Sequence, residues 1–89
     1  MQDFEGKTAV ITGAASGIGE STAEVLSAVG AIIVAADIDP DGLGATVERI
    51  NAAGGTATAV PTDVTDHAAV DALVERAVTD HGRLDIMCN

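Results

Sequence analysis

The stretch Thr12-Gly13-Ala14-Ala15-Ser16-Gly17-Ile18-Gly19 decides how this chain folds. Leading into it, Lys7–Thr12 (K-T-A-V-I-T) reads as a short buried strand. After it, Ile18, Thr22, Val25, Leu26 and Val29 recur at spacings of three and four, predicting an amphipathic helix over Gly17–Val29. The three glycines of the connection have different uses. Gly13 permits a tight turn out of the strand, where a Cβ would clash. Gly17 lets backbone approach a pyrophosphate, and Gly19 leaves room for the helix to sit against the sheet. The helix start offers unpaired N–H groups and the positive end of its dipole, an anion site. Ser16 is placed to cap that helix or to donate to phosphate, and the two roles are compatible. The glycine turn itself carries no Gly-Lys-Ser/Thr (Gly6-Lys7-Thr8 stands before the strand, not after it), so a phosphate-loop nucleotidase lacks its lysine and its metal-binding hydroxyl there.

Outward from this stretch, strands and helices alternate. Gly30 supplies a helix stop, and Ala31–Ala36 reads as a strand apolar on both faces, as in a parallel sheet covered by helices on both sides. Asp39-Pro40 is a helix start; Leu43, Val47 and Ile50 line one face of that helix, and Gly54-Gly55 ends it. Thr56–Val60 is a more modest strand suited to an edge, closed by Pro61. Thr65 or Asp66 caps a third helix with a stripe of Val70, Leu73, Val74, Ala77 and Val78, ended by Gly82. Leu84–Asn89 is a fourth strand. The predicted fold is α/β: a Rossmann-like doubly wound parallel sheet, the N-terminal βαβαβαβ portion of a three-layer α/β/α domain. A fourth strand in such a sheet crosses to the far side of the first and has further strands beyond it. Residues 1–89 therefore read as a partial dinucleotide-binding domain truncated after that strand.

Asp37 falls at the end of the second strand, 24 residues after Gly13. There a carboxylate can accept both ribose hydroxyls of an adenosine, whereas a 2′-phosphate would meet a like charge. Ala14, Ala15, Ile38 and Asp39 offer no basic residue to relieve that repulsion, so NAD is preferred over NADP. Asp63 and Val64 follow the third strand at the same edge, placed to accept from the adenine amine and to pack on its ring.

Composition bounds the alternatives. The 89 residues carry 14 acidic against four basic side chains, a net charge of −10, the wrong sign for nucleic acid or an anionic membrane surface. No apolar run is long enough to span a bilayer, and the first residues do not read as a secretory signal. A lone Cys88 and no zinc-ligand spacing fit a reducing cytoplasm with no metal site. His67 and His81 flank the third helix rather than sharing a face.

Taken together, Thr12 through Gly19, Asp37, Asp63-Val64 and Leu84-Asp85-Ile86-Met87-Cys88-Asn89 resemble the classical branch of the short-chain dehydrogenase/reductase family. The resemblance implies that Thr12 helps fix the glycine turn and that Gly13, Ser16, Gly17, Ile18 and Gly19 face the dinucleotide. It further implies that Asp37 binds ribose, that Asp63 and Val64 border adenine, and that Asn89 opens an Asn-Asn-Ala-Gly motif. It implies hydride transfer between NAD and a small alcohol or ketone, in a parent that is a homodimer or homotetramer. The family's tyrosine and lysine have no counterpart here: the chain has no Tyr, and its single lysine, Lys7, precedes the first strand. No catalytic residue is assigned, and the 89 residues alone are expected to be inactive. An NADP-dependent reductase and a non-catalytic dinucleotide-binding scaffold or sensor are the alternatives.

Overall fold

The computed structural model describes residues 3–88. The elements are β1 (Thr8–Thr12), α1 (Gly17–Ala28), β2 (Ile32–Asp37), α2 (Pro40–Ala52), β3 (Thr56–Pro61), α3 (His67–His81) and β4 (Ile86–Cys88). All pairings are parallel, in the order β3-β2-β1-β4. The fourth strand crosses to the far side of the first, as a doubly wound sheet requires, and Thr56–Pro61 lies at an edge. β1 is central, paired on both sides, and all five of its residues are buried.

Side chains alternate across β1 and β2 and divide the interior in two. Ala9, Ile11, Ile33 and Ala35 meet Ala23 of α1 and Leu43 and Ile50 of α2. Val10, Val34 and Ala36 face the opposite way, onto Leu73 and Ala77 of α3. This second core is thinner, and Val78 of the expected α3 stripe is 45% exposed. The three helices start differently. Asp39 accepts from the amides of Asp41 and Gly42 with Pro40 in the first turn, and Asp66, not Thr65, caps α3 through Ala68 and Ala69. Ser16 occupies the cap position of α1, but its side chain makes no capping bond. Gly82 closes α3 in the left-handed conformation.

α1 departs from the stripe expected of it. Ile18 is 86% and Val25 64% exposed, while Ala23 is fully buried. The face that meets the sheet runs through the small Gly19 and Ala23 and through Leu26 of the expected stripe, at spacings of four and three. Close seating selects small side chains at Gly19 and Ala23, and Ile18 and Val25 are turned away.

β4 begins at Ile86 rather than at Leu84, with Asp85 bonded to β1 just before it. The Asp85 amide donates to the Thr8 carbonyl at 3.0 Å. The Thr8 amide, however, donates at 2.9 Å to the Asp85 carboxylate rather than to a neighbouring backbone carbonyl. Arg83 holds both carboxylate oxygens at 2.7 Å. Arg83 first, and the Thr8 amide second, hold the Asp85 carboxyl below its ordinary value of 3.8. The sign follows from linkage. A depressed folded value gives stabilisation that is present above the unfolded value and lost as pH falls through the folded one. Asp85→Asn should therefore lower the melting temperature at neutral pH, and its gap from the parent chain should close below about pH 4. Thermal melts across that range check it; a gap that persists unchanged in acid would contradict this account.

Candidate dinucleotide site

Parallel strands bring the carboxyl ends of β1, β2 and β3 to one edge of the sheet. The register aligns Thr12 with Ala36, and Asp37 with Pro61. The Thr12 hydroxyl donates to the Cys88 carbonyl at 3.2 Å, tying the tip of β1 to β4. Beyond it the chain turns at Gly13 (φ +65°) and again at Gly17 (φ +61°), in a region L-residues avoid. The expected clash at Gly13 is absent, since a Cβ there would meet nothing within 4 Å; the dihedral is what demands glycine. Gly19 is the position where space is lacking. A Cβ there would lie 2.1 Å from the Gly13 carbonyl oxygen and 3.0 Å from that of Thr12. The first turn of α1 thus rests directly on the backbone leaving β1.

Asp37 is drawn into this turn. One carboxylate oxygen accepts from the Ala15 amide at 3.0 Å, and the other from the Asp39 amide at 3.0 Å. Each oxygen keeps a lone pair in reserve for a further donor. The Ala14 amide donates to the Ala36 carbonyl at 3.1 Å, so two consecutive peptides of the connection are fixed from the end of β2. Because Ser16 does not cap, the first N–H groups of α1 have no side-chain acceptor from the cap residue, unlike those of α2 and α3.

The other expected residues are arranged less tightly. Asp63 is exposed, and one of its oxygens takes both the amide (2.9 Å) and the hydroxyl (2.6 Å) of Thr65. The Thr65 hydroxyl is the larger cause, and its amide the lesser, of an Asp63 carboxyl held below the ordinary range. Asp63 is thus a turn-forming residue here, with its second oxygen outside that turn. Val64 is 53% exposed beside it, and Ile18 projects from the start of α1. Thr62 links the strand tips, its amide donating to the Asp37 carbonyl at 2.9 Å. Asn89 lies outside the described residues.

Electrostatically the edge is acidic. Arg49 is paired with Glu20 and Glu24, Arg76 with Asp80, and Arg83 with Asp85. Lys7 precedes β1, at the opposite end of the strand from Gly13. No three His, Cys, Asp or Glu side chains converge as a metal site among the described residues. No helix among them is long and apolar enough to cross a membrane.

One residue at this edge escaped the sequence pattern. Thr46 of α2 is fully buried, and its hydroxyl lies 2.9 Å from the Ala14 carbonyl. Its spacing of three from Leu43 and four from Ile50 was the available signal, masked by its polarity.

Known proteins share this arrangement. A family model described as short chain dehydrogenase matches residues 7–89. The chain is 46% identical over 86 residues to the 2,3-dihydro-2,3-dihydroxybenzoate dehydrogenase of Bacillus subtilis (strain 168), covering 97% of this chain and 33% of that protein. Among solved structures it superposes with a TM-score of 0.92 and 41% identity on a short chain dehydrogenase/reductase from Burkholderia phymatum in complex with NAD. That match covers 98% of this chain and 31% of the other. A metagenomic short-chain oxidoreductase in complex with NADP gives a TM-score of 0.90 and 36% identity, over 94% of this chain and 38% of that one. The chain spans about a third of the length of the relatives it matches.

Proposed function

Because the chain belongs to the short-chain dehydrogenase family, we propose that it supplies the NAD-binding part of an oxidoreductase acting on a small alcohol or ketone. The observation that carries this reading is the Asp37 carboxylate held 3.0 Å from the Ala15 amide, inside the glycine turn. The residues fit the cofactor. Gly17 presents backbone without a side chain, and the uncapped start of α1 directs amide dipoles at its mouth. Asp37, already fixed by two amides, needs little reordering to accept the adenosine ribose hydroxyls. Thr12, Gly13, Ser16, Ile18 and Gly19 shape or border the same mouth, and Asp63, Val64 and Asn89 are assigned to its adenine and central-sheet sides.

When bound, the nicotinamide supplies the hydride acceptor or donor. The chain's own contribution is to bind and orient. It contains no Tyr, and Lys7 stands at the wrong end of β1 for proton exchange beside the turn. In our reading the 89 residues bind dinucleotide without turning over an alcohol, and residues 1–89 are one part of a larger cofactor domain. A cytoplasmic parent assembled as a homodimer or homotetramer is consistent with this reading.

The preference for NAD rests on charge. A 2′-phosphate brought to Asp37 meets a carboxylate, and all three arginines are engaged elsewhere by acids. Since one solved relative holds NADP, both cofactors belong in the test. The chain lacks Trp and Tyr, so calorimetry is preferable to intrinsic fluorescence. At matched ionic strength NAD should bind at least about tenfold more tightly, a difference of ~1.4 kcal/mol. Tighter binding of NADP would overturn the reading.

A further inference from the structure

We propose that Thr46 is a positioning residue for the dinucleotide site, acting from α2 on the peptide between Ala14 and Ala15; this rests on the function proposed above. Helical threonines commonly return their hydroxyl to the carbonyl four residues back. That acceptor is within reach here, with the Gly42 carbonyl at 3.2 Å. The shorter contact is nonetheless to the Ala14 carbonyl at 2.9 Å, on a segment 32 residues away. A hydroxyl has a single proton to donate, and both Thr46 and Ala14 are fully buried. Water cannot replace this donor cheaply, so the bond selects one orientation of the Ala14–Ala15 peptide.

The neighbouring contacts make that orientation consequential. The Ala14 amide is held by the Ala36 carbonyl, and the Ala15 amide by Asp37. Thr46 supplies the remaining bond, to the carbonyl between those two amides. The first turn of α2 also presses on the segment, since a Cβ on Gly42 would lie 3.0 Å from that of Ala15. Gly13 and Gly17 flank this pinned dipeptide, and both have positive φ with open space at the Cβ position. The clamp from β2 and α2 limits the conformations that two permissive glycines would otherwise allow. Glu20 and Arg49 border the same hydroxyl, at 3.4 and 3.5 Å, linking it to the ion pairs between α1 and α2.

The test uses the 89-residue chain, calorimetric NAD titration and amide exchange, at a temperature where every variant is folded. Thr46→Val removes the donor at nearly constant volume and should weaken NAD binding about tenfold. It should also speed exchange of the Ala15 amide in the absence of any dinucleotide. Thr46→Ser keeps the hydroxyl and should stay within about twofold of the parent affinity. Ile50→Val, on the same buried face but away from the turn, should lower the melting temperature without moving NAD affinity. Equal affinity in Thr46→Val and the parent chain would overturn the proposal, as would equal losses in the Val and Ser variants. Failure of the parent chain to bind any dinucleotide would instead strike at the proposed function. If Thr46→Val does not fold, linkage supplies a measurement on the parent chain. A bond that strengthens NAD binding must itself be strengthened by NAD. Exchange of the Thr46 hydroxyl proton should slow about tenfold on saturation, and an unchanged rate would overturn the proposal.

Discussion

Gly19→Ala should lower the melting temperature of the chain by more than about 10 °C. The added Cβ would lie 2.1 Å from one backbone carbonyl oxygen and 3.0 Å from another, and neither belongs to a flexible side chain. Overpacking a close-fitting interior typically costs ~1–3 kcal/mol, and a clash against main chain belongs at or above the top of that range. In so small a domain each kcal/mol is worth roughly 4–8 °C. The comparison variant is Gly13→Ala, whose Cβ would meet nothing and whose cost is the left-handed dihedral alone, ~1–2 kcal/mol. Melts followed by circular dichroism should rank the parent chain above Gly13→Ala, and Gly13→Ala above Gly19→Ala. If Gly19→Ala melts within a few degrees of the parent chain, α1 is not seated on the β1 backbone as described.

Asp37→Ala should weaken NAD binding about 10- to 100-fold while leaving NADP binding unchanged or improved. Two losses combine for NAD. The ribose hydroxyls lose a charged acceptor, an interaction worth ~1.5–3 kcal/mol, and the Ala15 amide loses the carboxylate that fixes it. For NADP the second loss is offset by removal of a repelling charge from the 2′-phosphate. Asp37→Asn separates these effects, because it keeps an acceptor for the Ala15 amide and discards the charge. Paired titrations of both cofactors against both variants provide the measurement. An equal fall for NAD and NADP would mean that Asp37 acts on the turn alone and does not discriminate between them.

The alternation of strands and helices was legible because each element carried a local signal. Ala9–Ile11 and Ala31–Ala36 were apolar throughout, Asp39-Pro40 announced α2, and Gly82 closed α3. The place of the glycines and Asp37 at the carboxyl edge of the sheet was legible for the same reason, since they sit at fixed distances from strand ends. Legibility failed where two elements meet. Helical periodicity placed Ile18 and Val25 on the inner face of α1, but close approach to the sheet admitted Gly19 and Ala23 instead. Thr46 is not legible in this way, because a polar residue in an apolar stripe acquires meaning only once the carbonyl opposite it is known. Asp85 likewise could not be assigned until Thr8, 77 residues earlier, was found beside it. Asp63 shows the converse: its turn with Thr65 follows from a local spacing of two residues and needs no distant partner.

The seam between the first and last strands also bears on the order of assembly. β1, β2 and β3 are joined by successive crossovers, each closing a shorter loop, whereas β1 and β4 meet only across the 77 residues that separate Thr8 from Asp85. Loop-closure entropy rises with separation, and contacts distant in sequence form late. A chain emerging from the ribosome would therefore build the β3-β2-β1 sheet first and hold the outer edge of β1 open until Asp85 and Ile86–Cys88 arrive. During that interval a strand that ends up buried along its whole length is an unpaired edge, the kind that recruits other chains. Docking of β4 ends that exposure at β1, so the speed of its arrival sets how long the nascent chain is prone to aggregate.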